Sequence, residues 1–137
     1  MAATDGSSGG LRAVEAAAEL AKATGAQLSI LTIGGSGGPE IDQLIRAEGN
    51  AGEAMELLCN QALTEGQRSA RQAGIANVKL LTKWGDAAEV IIESARHENA
   101  DLIVVGRRGR GRLTGLLLGS VSQKIVSLAP CKVMIVP

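Results

Sequence analysis

Five short apolar runs alternate with amphipathic segments along this chain, and no other feature constrains its fold as strongly. The runs are Ala2–Thr4, Leu28–Ile33, Val78–Trp84, Leu102–Val105 and Val133–Val136. Leu102 to Val105 is apolar at every position, the pattern of a central parallel strand covered on both faces. Between the runs, Leu11, Val14, Ala18 and Ala21 recur at helical spacing, predicting a helix over Leu11–Thr24 that Gly25 ends. A short helix is expected over Ile41–Arg46, inside a glycine-rich connection or lid spanning 34–52. A long helix follows over Glu53–Gln72, with Met55, Leu58, Cys59, Ala62 and Leu63 turned inward. Asp86 caps a helix to about Glu98 whose inner stripe is Ala88, Ile91, Ile92 and Ala95. Ser120–Leu128 is the last helix. Strand–helix alternation of this kind calls for an α/β fold, a parallel sheet with right-handed crossovers and helices on both faces. The 137 residues suit one domain over 1–137.

Phe and Tyr are absent and Trp84 is the only aromatic residue. The core must therefore be aliphatic, and modules that read single-stranded nucleic acid by aromatic stacking are excluded. Lysine plus arginine balance aspartate plus glutamate at 14 each, so no global field draws the chain to nucleic acid or membrane. No apolar run approaches the roughly 20 residues of a membrane span. The start, Met1-Ala2-Ala3-Thr4-Asp5, has neither a charged n-region nor a long apolar h-region, so a cytoplasmic location is expected. Cys59 and Cys131 have no metal-ligand spacing. Cys59 lies on an apolar helical face, where a buried thiol is expected; nothing in the sequence requires a disulfide to Cys131.

In sheets of this kind ligands bind beyond the carboxyl ends of the strands. The fourth run leads there into Gly106, two residues, Gly109, nine residues, then Gly119 and Ser120 at a helix start. Glycines let backbone N–H groups crowd an anion, and a helix N-terminus adds a favourable dipole. The stretch reads as a phosphate cradle. Thr4-Asp5-Gly6-Ser7 follows the first run and supplies a second wall if the first and fourth strands are neighbours. Ser120 and Ser122 either cap their helix or bind phosphate oxygens. Asp5 either bonds its own turn or accepts from a ribose or a metal-bound water. Arg107, Arg108, Arg110 and Arg112 fall within six residues and serve either phosphates or a partner protein.

Other phosphate motifs fit poorly. GxxxxGK[ST] is absent, and Gly109, Gly111 and Gly115 are not followed by the acidic residue a dinucleotide turn requires. His97, the only histidine, is placed on a helix away from the crevice, and no Ser-His-Asp set, paired carboxylates or metal-ligand cluster is visible. No catalytic residue is expected; at most, slow ATP hydrolysis would need bound metal and water.

The spacing of Gly106, Gly109, Gly119 and Ser120 resembles the nucleotide signature of the universal stress proteins. Gly115 to Val126, the ending Ala129-Pro-Cys-Lys-Val-Met-Ile-Val-Pro137, and Thr4-Asp5-Gly6-Ser7 also read as that family, so the likeness covers nearly the whole chain. It implies a flavodoxin-like, adenine nucleotide alpha hydrolase-like sheet of order 3-2-1-4-5, with ATP between the first and fourth strands. By position, Thr4 and Asp5 would meet adenosine, with Asp5 at the ribose, and the Ile33 backbone would meet the adenine edge. Val105 and Gly106 would lie by ribose and phosphates; Gly109, Gly119, Ser120, Val121 and Ser122 would hold phosphates. Ala3 and Arg110 complete the candidate cofactor-binding set. Mg2+ or Mn2+ would travel with the ATP phosphates. The family likeness further implies a homodimer through the Val133–Val136 edge strand. The function expected is an ATP-binding stress-response regulator; the alternatives are a nucleotide-independent interaction and dimerisation module, or a slow ATPase. Only four residues precede Asp5, so the first strand is expected to be unusually short.

Overall fold

The computed structural model describes residues 1–35, 50–111 and 117–137. The helix expected over Ile41–Arg46, most of the 34–52 connection, Arg112 and Gly115 lie outside the described residues. Five strands form one parallel sheet: β1 (Ala2–Ala3), β2 (Leu28–Gly34), β3 (Val78–Trp84), β4 (Leu102–Gly106) and β5 (Lys132–Val136). Their order is β3-β2-β1-β4-β5, as the resemblance implied. The described helices are α1 (Ser8–Thr24), α2 (Ala51–Gln72), α3 (Ala87–His97) and α4 (Ser120–Leu128).

Alternation along the strands splits the core into two layers. Ala2, Ile30 and Val104 join Ala13, Val14 and Ala17 of α1 and Leu63 and Ala70 of α2. Ala3, Leu31, Ile103 and Val105 join Ala88, Ile91 and Ala95 of α3 and Ile125 of α4. The helices thus cover both faces. The core is aliphatic because Phe and Tyr are absent and Trp84 is exposed.

The central strand is short, as the sequence indicated, but its pairing extends past its two residues. Ala2 is in register with Ile30 and Val104, and Ala3 with Leu31 and Val105. Beyond them, the Met1 ammonium donates to Leu102 O, Val104 N–H to Met1 O and Thr4 N–H to Leu31 O, each at 2.9 Å. Burial lowers the Met1 amino pKa, while Cys131 and Asp101 oppose that shift. Cys131 and Cys59 are both free thiols, and Cys59 is buried as expected.

Helix starts follow their caps more closely than the hydrophobic period suggested. Helix α1 begins three residues before Leu11, because the Ser7 hydroxyl accepts the Gly10 N–H at 3.1 Å. Helix α2 begins at Ala51 because Asn50 Oδ1 accepts the Gly52 N–H at 3.0 Å. Asp86 caps α3 by accepting the Glu89 N–H at 3.0 Å, and Lys124 of α4 donates to it at 3.1 Å.

Two outcomes follow from this packing. Leu31 is fully buried, so Leu31→Ala should cost about 2–5 kcal/mol in urea unfolding; a cost near zero would mean that the core layer is not formed. The Glu89 N–H and the Lys124 ammonium hold the Asp86 carboxyl below its usual range. Its stabilisation is therefore present above the ordinary aspartate pKa and lost as pH falls through the lowered one. Asp86→Ala should be less stable than the parent at neutral pH, and the two should converge in acid.

Candidate functional site

The two glycine turns meet. Strands β1 and β4 are neighbours, so the turn after β1 and the loop after β4 leave the sheet side by side while α1 and α4 go to opposite faces. Such a divergence opens a crevice at the strand ends.

Asp5 ties the two segments. Its Oδ1 accepts the Ser7 N–H at 3.0 Å and the Ser7 hydroxyl at 2.5 Å; its Oδ2 accepts the Arg110 N–H at 2.8 Å. The carboxylate therefore makes both the local turn and a contact spanning 105 residues of sequence. Gly109 lies against it: a Cβ there would collide with Asp5 Oδ2. The loop also touches the start of α1. A Cβ on Gly106 would lie 2.7 Å from the Gly9 carbonyl carbon, and one on Gly9 would lie 2.6 Å from the Arg108 oxygen. Glycine is needed at both, because two backbones pass where side chains would stand.

The far end of the loop is held by Arg107. Its N–H donates to Val136 O at 2.6 Å, and its carbonyl accepts the Gly119 N–H at 2.9 Å. The Ser122 hydroxyl lies 3.0 Å from the same carbonyl and 2.9 Å from Gly119 O, so it braces the loop from inside the first turn of α4. Gly119 is the N-cap of α4, with no side-chain cap bond. Ser120 is thus the first helical residue, not the cap, and it is exposed beside Val121. The start of α4 presents a helix dipole and backbone N–H groups with no side-chain cap bond among the described residues.

The remaining candidates fall around this junction. Ala3 and Val105 are buried register partners directly beneath it. Thr4 is buried, and its hydroxyl accepts the Gly6 N–H at 3.1 Å. Ile33 is the penultimate residue of β2, two residues past Leu31, the partner of Ala3, and packs partly into the α3–α4 layer. The Arg110 guanidinium leans toward the α2 side, with Nη2 3.0 Å from where a Gly6 Cβ would stand. His97 is exposed at the end of α3, which leads into the start of β4 at the other end of the sheet. Among the described residues, no group of three or more His, Cys, Asp or Glu could hold a metal ion.

Sequence reasoning missed three features near the site: the bracing by the Arg107 backbone, where only its side chain had been considered, the close approach at Gly9, and Cys59. Burial raises the Cys59 pKa; hydrogen bonding to Thr32 and the nearby Arg110 charge oppose that rise. The Ser-Gly-Gly start of α1 was the one available clue to Gly9.

The model of the universal stress protein family matches residues 1–137. Universal stress protein YxiE of Bacillus subtilis is 32% identical over 142 residues, covering 99% of this chain and 96% of the relative. A solved universal stress protein in complex with cAMP is 31% identical with a TM-score of 0.75, covering 99% of this chain and 94% of that one. A universal stress protein from Archaeoglobus fulgidus in complex with dAMP shares the fold, at 20% identity and a TM-score of 0.71, covering 99% and 94%.

If Asp5 joins the two segments, Asp5→Ala should cost about 1–3 kcal/mol in denaturant unfolding and speed hydrogen exchange at the Arg110 amide. Unchanged exchange at Arg110 would contradict that role.

Proposed function

The chain belongs to the universal stress protein family, and on that premise we propose that it binds ATP in the crevice between β1 and β4 and acts as a nucleotide-dependent stress-response regulator. The observation that carries this reading is the convergence of Asp5, Gly109 and the open start of α4 on one junction. Related structures with cAMP and dAMP support an adenine nucleotide as the ligand class.

The residues present fit such a ligand. Ser120 and Val121 at the start of α4 would give N–H groups, and Ser120 also its hydroxyl, to phosphate oxygens, with Gly119 allowing close approach. Asp5 Oδ1 accepts both the Ser7 N–H and the Ser7 hydroxyl, while Oδ2, which accepts the Arg110 N–H, has a further lone pair for a ribose hydroxyl. Ser122 acts one step back, by holding Gly119 and Arg107 in place. Ile33 would offer backbone groups to the adenine edge, and Ala3, Thr4, Val105 and Gly106 would form the floor. Mg2+ or Mn2+ would be held through the phosphates, because no carboxylate cluster stands among the described residues.

The reading includes a homodimer. Among the described residues β5 pairs only with β4, so its outer edge offers backbone groups that the sheet does not pair. Met134 on that strand is 37% exposed, and Val126 and Leu128 of α4 are more exposed still. Pairing of two β5 edges would satisfy both.

Calorimetry should find saturable ATP binding, weakened about tenfold by Ser120→Ala and abolished by Gly109→Arg, which would drive a side chain into Asp5. No saturation at millimolar ATP would reject the nucleotide reading. Sedimentation should give a dimer that Met134→Lys dissociates; a monomeric parent would reject the edge-pairing part alone.

A further inference from the structure

Trp84, the only aromatic residue of the chain, is left 56% exposed at the end of β3. An indole is a large apolar group, and its burial in a core layer would be favourable. The ring stands instead at the carboxyl end of the sheet, the end that carries the crevice. We propose that Trp84 is the outer wall of the base pocket: the exposed part of its indole packs against the adenine and favours a purine over a pyrimidine. The inference rests on the nucleotide reading above and adds to it a residue outside the glycine loops.

The backbone of Trp84 is fixed beside the residues assigned to the base. Strands β2 and β3 stay in register to their ends, Ile33 with Lys83 and Gly34 with Trp84. The pairing continues one step further, where the Gly85 N–H donates to Gly34 O at 3.1 Å. Trp84 is thus held next to the residue that follows Ile33, whose backbone is assigned to the adenine edge.

The indole leans inward from there. A Cβ on Gly34 would collide with Trp84 Cζ3 and lie 2.6 Å from Cε3 and 3.0 Å from Cη2. The six-membered ring therefore fills the place of the side chain that Gly34 lacks. In the order β3-β2-β1, a side chain that leaves β3 and lies over β2 is directed toward β1. β1 is the next strand, about 4.8 Å further on, and it borders the crevice. Gly34 and the following Gly35 carry no side chains, so neither stands between the indole and the Ile33 backbone. Gly35 has φ +117, and a Cβ on it would lie 3.4 Å from the Gly85 nitrogen. Three glycines thus leave a low backbone rim around one exposed ring. Aromatic faces attract nucleobases, and a two-ring base covers more of an indole than a one-ring base does.

The full chain is titrated with ATP by calorimetry and, in parallel, by its tryptophan emission, which comes from Trp84 alone. Both should saturate with the same affinity, and bound ATP should shield Trp84 from acrylamide. Inorganic triphosphate, which lacks a base, should leave the emission unchanged. Trp84→Ala should weaken ATP binding about tenfold and narrow its advantage over UTP. The same variant should bind triphosphate as the parent does, and Trp84→Phe should recover most of the ATP affinity. Calorimetric saturation with unchanged emission and unchanged quenching would overturn the base-wall role and leave the nucleotide reading standing. So would a Trp84→Ala variant that binds ATP as tightly as the parent. Equal losses for ATP and triphosphate would also overturn it, because Trp84 would then act only by holding the ends of β2 and β3. No calorimetric saturation would reject the nucleotide reading and this inference together.

Discussion

Asp5 Oδ2 accepts the Arg110 N–H at 2.8 Å while Oδ1 holds Ser7, and the carboxyl end of the sheet is organised around that one carboxylate. A free loop after β4 would have many conformations to lose before it could present N–H groups to a ligand. Here the loop is fastened near its middle by Asp5 and at both flanks by Arg107, through Val136, Gly119 and Ser122. On the loop itself the fastening uses backbone groups, the Arg110 N–H and the Arg107 N–H and carbonyl. The loop is therefore held by a brace that needs no ligand.

The sheet order makes the brace possible. Because β1 and β4 are neighbours, the chain leaves β1 for α1 on one face and reaches α4 on the other. The loop after β4 consequently lies between two helix N-termini, and both of those ends favour negative charge.

Much of this was legible in the residues. Alternation of apolar runs with helical periods gave the layered sheet, since periods of 2 and 3.6 are imposed by burial itself. The spacing from Gly106 to Ser120 marked the loop because close backbone approach selects glycine. The strand order came only from the family likeness, because local patterning does not say which strands touch. Ser7 as a cap was hidden behind the apolar period that begins at Leu11. The parts played by Arg107 and Ser122 were illegible for a different reason. A backbone brace leaves no trace in residue type, and a serine at the third position of a helix reads equally as a ligand group or as a strut.

The most direct test is a crystal structure of the chain grown with ATP. The account predicts adenine against the Ile33 backbone, the ribose at Asp5, and phosphates between Gly109 and the Ser120 and Val121 N–H groups, with the Asp5–Arg110 bond intact. A nucleotide bound elsewhere, or an Asp5 turned away from the β4 loop in the presence of ligand, would contradict it.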